Sequence, residues 1–319
     1  MVLLNSISIA PPFLNSSCAW ASDLDQLREL YQSPYTGAVT TRTSTPNGFK
    51  EDPSIHTVAF DENTSINSYG YSPYPLSQYL NLIKSILDER ENPTKPFIVS
   101  ITTSIPADLS VMLARIQDLR KSYPHLIAVE LNSSCPNIPG SPPTAYVPSS
   151  LPPLLAVMSE AYLKDPTLTL GIKLPPYVYE DQFHQLLHVL KEYSYTTPDE
   201  KETNPFSFLT CTNTLGNSLL FEASAETGAT PSFALPTPLG GLAGEAIHSL
   251  SLGNVYTFKK VLSTHASLSH IKIIGVGGVT TPQAARRMFE AGADAVACAT
   301  LLGRMGVKAF EVISDGVAH

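Results

Sequence analysis

Leu126-Ile127-Ala128-Val129-Glu130-Leu131-Asn132-Ser133-Ser134-Cys135-Pro136-Asn137-Ile138-Pro139-Gly140 joins an apolar run to a dense polar one. Residues 126–129 have the length and content of a buried strand. Two amides, two hydroxyls and one thiol follow within six residues, and the prolines and glycine after them end regular structure. A thiol just past a strand end, flanked by Asn132 and Asn137, is placed to act as a base on a polar, planar substrate.

Strand and helix signals alternate on both sides of this stretch. Strands are expected at 12–16, 37–41, 97–101, 126–129, 167–173, 206–212, 271–275 and 293–300. Helices are expected at 23–31, 75–89, 107–123, 154–163, 179–193, 247–262 and 282–291, where apolar residues recur three and four apart. Strand–helix alternation of this kind argues for an α/β fold, a (β/α)8 TIM barrel in one domain over residues 1–319, with its chemistry at the strand C-termini. The polar loop from Arg42 to about Tyr74 and the Gly/Pro/Ser-rich insertion from Asn213 to about Glu245 are candidate lids.

Composition narrows the function. The net charge is −8, from 20 Lys+Arg against 28 Asp+Glu, and no basic stretch exists to neutralise a nucleic acid or an anionic membrane. The four cysteines, Cys18, Cys135, Cys211 and Cys298, lie far apart with no metal-ligand spacing. The N-terminus has no signal-peptide pattern, and no apolar run reaches transmembrane length. The expectation is a reduced, cytosolic protein without a metal. His184 and His188, four apart on a predicted helix, have no evident third ligand.

In a barrel, the residues after each strand converge on one mouth. They are Ser16 and Ser17, Arg42, Asn132 and Cys135, Lys173, Asn213 and Thr214, Gly277 and Gly278, and Ala299 and Thr300. The bare amides of Gly275-Val276-Gly277-Gly278-Val279, with Gly240-Gly241, can cradle a phosphate without net positive charge. The bland alternative is that these glycines only serve tight turns. Lys173, closing a strand, can stabilise negative charge on a cofactor or form a Schiff base with a carbonyl substrate.

The blocks Leu131-Asn-Ser-Ser-Cys-Pro-Asn-Ile-Pro-Gly140, Gly171-Ile-Lys-Leu-Pro-Pro176, Asn213-Thr-Leu-Gly-Asn217, Gly240-Gly-Leu-Ala-Gly244 and Ile274-Gly-Val-Gly-Gly-Val279 resemble, in order, the class 1A dihydroorotate dehydrogenases. The match covers essentially the whole chain. Cysteine at position 135 is the class 1 base; class 2 enzymes carry serine there. The resemblance implies an FMN enzyme that oxidises dihydroorotate to orotate, passes electrons to fumarate, and forms a homodimer. It implies catalytic roles for Cys135 and Lys173. The cofactor contacts it implies are Ser16, Ser17, Arg42, Thr43, Asn132, Lys173, Thr212, Gly240, Gly241, Gly277, Gly278, Ala299 and Thr300. The substrate contacts it implies are Arg42, Asn67, Tyr69, Gly70, Tyr71, Asn132, Asn137, Asn213 and Thr214.

The sequence also departs from that pattern. Arg42 stands where the family has a lysine, Ser16-Ser17-Cys18 replaces Ala-Ser-Gly, Tyr69 stands where a smaller side chain is usual, and the basic residue after the Gly-Gly block is His248. These changes keep open a paralogue that uses FMN on another cyclic amide or enoate, and a catalytically silent flavin-binding homologue.

Overall fold

The computed structural model describes residues 1–138, 140, 143–222 and 232–317. Pro139 of the quoted stretch and the middle of the 213–245 insertion lie outside the described residues.

Eight parallel strands form the central sheet: β1 (Phe13–Asn15), β2 (Val39–Thr40), β3 (Phe97–Ile101), β4 (Ile127–Asn132), β5 (Thr169–Leu174), β6 (Phe206–Cys211), β7 (Lys272–Val276) and β8 (Ala295–Cys298). Their order is β1-β8-β7-β6-β5-β4-β3-β2. The remaining seam, between β1 and β2, is bridged at Leu14 and Ala38. There the Asn15 side chain acts as an extra backbone unit: its Oδ1 accepts from Thr40 N (2.9 Å) and its Nδ2 donates to Thr40 O (2.6 Å). The sheet therefore closes into the expected barrel.

The helices between strands are α1 (Leu24–Gln32), α2 (Leu76–Asp88), α3 (Pro106–Ser122), α4 (Pro152–Lys164), α5 (Glu180–Lys191), α6 (His248–Ser263) and α7 (Pro282–Glu290). They agree with the apolar periodicity to within a residue or two. Two short helices, α8 (Thr300–Met305) and α9 (Lys308–Ser314), follow β8. The sequence reading carried β8 on to residue 300, where the chain has already turned into α8.

Side-chain alternation divides the core in two. Ile127, Val129 and Leu131 of β4 and Leu170, Ile172 and Leu174 of β5 pack outward against the helices. Ala128, Phe208, Ile274, Ala295 and Ala297 pack inside the barrel, with Leu4, Ile7 and Ile9 from an N-terminal hairpin (Val2–Leu4 with Ile7–Ile9). That hairpin was not anticipated. Since odd positions of β4 and even positions of β5 face outward, Glu130, Asn132 and Lys173 must face inward. Phe208 fills the barrel interior beside Gly171, where an added β-carbon would lie 2.2 Å from its ring.

The two long loops do not act separately. Val58–Asp61 and Thr64–Asn67, from the loop after β2, join Leu215–Ser218 and Gly240–Gly244, from the insertion after β6, in one four-stranded antiparallel sheet. This sheet lies over the C-terminal ends of the barrel strands.

Candidate active site

A cavity, open to solvent on one side, lies between the strand C-termini and the antiparallel sheet. Ser16, Ser17, Arg42, Thr43, Asn67, Tyr69, Gly70, Tyr71, Asn132, Cys135, Asn137, Lys173, Thr212, Asn213, Thr214, Gly277, Gly278, Ala299 and Thr300 all line it. Gly240 and Gly241 do not. They sit within the lid strand, where added β-carbons would lie 2.6 Å from Asn67 O and 2.3 Å from Thr214 Oγ1. Ala243 and Gly244, further along that strand, line the cavity instead, with Val58 and Ser65 of the neighbouring hairpin. Sequence reasoning missed these because nothing in either loop announced that the two would pair.

At one end four asparagines line the wall in two hydrogen-bonded pairs. Asn132, at the end of β4, donates to Thr43 Oγ1 (2.8 Å) and accepts from Asn213 Nδ2 (3.2 Å). Asn213 Nδ2 also reaches Ser134 Oγ (3.0 Å). Asn137 Nδ2 donates to Asn67 O (3.0 Å), Asn67 Oδ1 (3.0 Å) and Tyr69 O (2.9 Å). Asn67 Nδ2 in turn donates to Gly241 O at 3.1 Å. Each amide can donate and accept in one plane, which suits the edge of an imide ring.

Cys135 is a free, half-buried thiol in this cluster. Burial pushes its pKa above the ordinary thiol value, and the Asn137 backbone and the charges of Lys173 and Arg42 offset this only in part. Burial also raises Tyr71 to about 12, with the nearby Cys135 adding to the shift. Cys18 and Cys298, both at the cavity wall, are pushed up by burial to about 11 and about 12. Those two thiols stay neutral at physiological pH.

Two cations line the cavity, and among the described residues no carboxylate does. Lys173 is buried, with Nζ donating to Ser16 Oγ (2.9 Å) and Ser17 O (3.3 Å), so one of its three protons is left for a ligand. Arg42 is buried too, with Nη2 on Glu51 Oε1 at 2.5 Å and its guanidinium 5.3 Å from the Tyr69 ring centroid. Gly70 is required next to it, since an added β-carbon would lie 2.4 Å from the Phe49 ring.

At the other end Gly244, Gly277 and Gly278 have φ of +76°, +131° and +65°, conformations that suit glycine alone. His248, the residue that replaces the usual basic side chain, holds this turn. Its Nδ1 lies 2.8 Å from Gly277 O and its Nε2 faces Arg287 Nε at 3.3 Å. Gly277 O can accept from an Nδ1–H, and the Arg287 Nε–H can donate to Nε2. Ser65 Oγ and Thr300 Oγ1, 2.9 Å apart, tie the lid to α8. His184 and His188, by contrast, sit on the exposed face of α5 near Glu180 (3.6 Å) and Glu192 (3.5 Å).

A family model described as dihydroorotate dehydrogenase matches residues 5–319. The chain is 30% identical over 305 residues to a Streptococcus pneumoniae serotype 4 protein named probable dihydroorotate dehydrogenase A (fumarate), covering 95% of this chain and 86% of that protein. It is 29% identical over 303 residues to a dihydroorotate dehydrogenase (fumarate) of Kluyveromyces lactis, covering 95% and 87%. With its eight-stranded barrel and a family match over almost its full length, the chain belongs to the dihydroorotate dehydrogenase family and is an oxidoreductase.

Proposed function

We propose that the chain oxidises dihydroorotate to orotate with FMN as its cofactor and Cys135 as the base. The observation that carries this is Cys135 set among Asn67, Asn132, Asn137 and Asn213 in a cavity lined, among the described residues, by two cations and no carboxylate. Such a site favours an anionic, planar amide and offers one group able to take a proton from carbon.

The residues present also fit the cofactor. The Gly244, Gly277 and Gly278 backbones could not carry side chains without collision: added β-carbons would lie 2.2 Å from Asn63 O, 2.0 Å from Ser251 Oγ and 2.6 Å from His248 Cβ. Close backbone of this kind, with Ala299 and Thr300, suits a phosphate held by bare amides. Lys173 sits on the barrel axis side of β5 and would neutralise charge on the electron-rich edge of the flavin. Ser16, Ser17, Thr43 and Thr212 supply hydroxyls along the wall between.

FMN, when bound, supplies the two-electron acceptor for the hydrogen on C6 of dihydroorotate. The Cys135 thiolate removes the C5 proton, which ends on Sγ, and the C5–C6 bond becomes the double bond of orotate. The asparagine amides hold the ring in the plane that this elimination needs. Arg42 and the Tyr69–Tyr71 segment face the substrate's anionic side. Fumarate, named for the relatives, is the proposed acceptor that regenerates the enzyme, and a cytosolic homodimer is the proposed assembly.

The test is an absorbance spectrum of the purified protein followed by anaerobic dihydroorotate. A flavin spectrum that bleaches supports the proposal. A flavin spectrum that dihydroorotate leaves unchanged overturns the substrate, and protein that neither contains nor binds FMN overturns the cofactor.

A further inference from the structure

Arg42 is not free to meet a ligand with its whole charge. Its side chain is 7% exposed and that of Glu51 is 22% exposed, so their 2.5 Å contact is partly shielded from water. Arg42 Nη2 is taken up by Glu51 Oε1 and, at 3.5 Å, by Gly70 O. Nε and Nη1 have no partner among the described residues and are not sealed off from the cavity that Arg42 lines. Tyr69 lies against the face of the guanidinium, and the loop that carries Glu51 is anchored nearby by Phe49, which packs on Tyr71 with ring centroids 6.1 Å apart. Glu51 therefore stands behind Arg42, outside the cavity wall, and contributes a fixed negative charge to the ligand end.

We propose that Glu51 is a specificity-determining residue: by sharing the Arg42 guanidinium with the ligand, it tunes the substrate end of the cavity to ligands with one negative charge and disfavours dicarboxylates. This rests on the reading that the cavity takes dihydroorotate, a monoanion. With Lys173 assigned to the flavin edge, Arg42 is the cation of the substrate end and Glu51 offsets it. A monocarboxylate meets the repulsion of Glu51 once, whereas fumarate meets it twice. The consequence is an enzyme that holds its product class more readily than its dicarboxylate acceptor. Arginine suits this arrangement, because its several N–H groups can serve Glu51 and a ligand at once, which a lysine's single ammonium centre does less well.

The experiment measures binding of fumarate, monomethyl fumarate and orotate to the flavin-loaded protein by calorimetry, for the parent, Glu51→Gln and Glu51→Asp. Glu51→Gln keeps an acceptor for Arg42 and removes the charge. A charge across ~8 Å at an effective dielectric constant of ~20–60 changes affinity ~3- to 30-fold per ligand charge. Monomethyl fumarate should therefore tighten at least about threefold, and fumarate by about the square of the factor seen for monomethyl fumarate. Glu51→Asp should keep the parent ratio of the two. Equal changes for the two fumarates, or the same ratio shift in Glu51→Asp, would overturn the proposal. Orotate is the separate arm: parent protein that binds the fumarates but not orotate sinks the dihydroorotate reading, while the ratio of the fumarates still decides the role of Glu51.

Discussion

Gly278→Ala tests whether the glycine end of the cavity is a built phosphate site. At φ +65°, an added β-carbon would lie 2.6 Å from His248 Cβ, 2.8 Å from Gly244 O and 3.1 Å from Glu245 Cα. Ordinary carbon contacts are about 3.5–4.0 Å, so the 244–245 and 277–278 turns must separate by roughly 0.7–1 Å. The left-handed backbone costs an alanine roughly 1–2 kcal/mol, and crowding against main chain adds about 1–3 kcal/mol. At about 1.5 °C per kcal/mol for a chain of 319 residues, Tm should fall by roughly 3–8 °C. The same separation pulls backbone N–H groups off the ligand. Losing one charge-assisted hydrogen bond, about 1.5–3 kcal/mol, weakens FMN binding on the order of 10- to 100-fold. The assay is titration of deflavinated protein with FMN, followed by flavin fluorescence, alongside thermal denaturation. Gly253→Ala is the control. It lies within α6 with open space around its β-carbon position, so it should add about 0.5–1 kcal/mol of stability and leave FMN affinity alone. A Gly278→Ala protein with parental Tm and FMN affinity would refute the reasoning.

Cys135→Ala should retain bound flavin while anaerobic reduction by dihydroorotate slows by on the order of 10²–10⁴; unchanged reduction would remove Cys135 from the mechanism. Because burial holds the Cys135 pKa above the ordinary thiol value and the thiolate is the active form, the reduction rate should climb roughly tenfold per pH unit and still be rising at about pH 8.5. A plateau complete by neutral pH, in stopped-flow across the range, would contradict that assignment. Asn137→Ala removes the donor that reaches Asn67 O, Asn67 Oδ1 and Tyr69 O. With the lid strand unpinned, KM for dihydroorotate should rise about tenfold or more, and a parental KM would argue that Asn137 neither holds the lid nor meets substrate.

The barrel was legible because its strands are short apolar runs separated by helices of clear period. The site was legible where chemistry sits at strand ends: alternation along Ile127–Asn132 and Thr169–Leu174 aims Asn132 and Lys173 inward without further information. The lid sheet was not legible. Thr64-Ser65-Ile66-Asn67 is mostly polar and its partner Gly240-Gly241-Leu242-Ala243-Gly244 is mostly glycine, so neither shows strand alternation. Their pairing is specified by backbone hydrogen bonds between distant segments. The N-terminal hairpin did leave a signal, Val2-Leu3-Leu4 and the alternating Ile7-Ser8-Ile9 around Asn5-Ser6, with Asn5 at φ +48°, but an asparagine-led turn between three-residue strands is easily passed over. Glu51 carried no signal at all, since its role depends on which side chain it meets across the loop.

The lid sheet also has a consequence in time. Asn67 and Gly241, hydrogen-bonded neighbours in it, are 174 residues apart, and Ser65 meets Thr300 across 235. A ribosome adding roughly 5–20 residues per second needs on the order of 10–30 s to pass from the first of these strands to its partner. Until then the N-terminal half of the lid has nothing to pair with. Loop closure over such a separation is among the later events of folding. The site proposed for flavin therefore comes into being only once the chain has been made through Thr300, so a flavin held there could not serve as a template for early assembly.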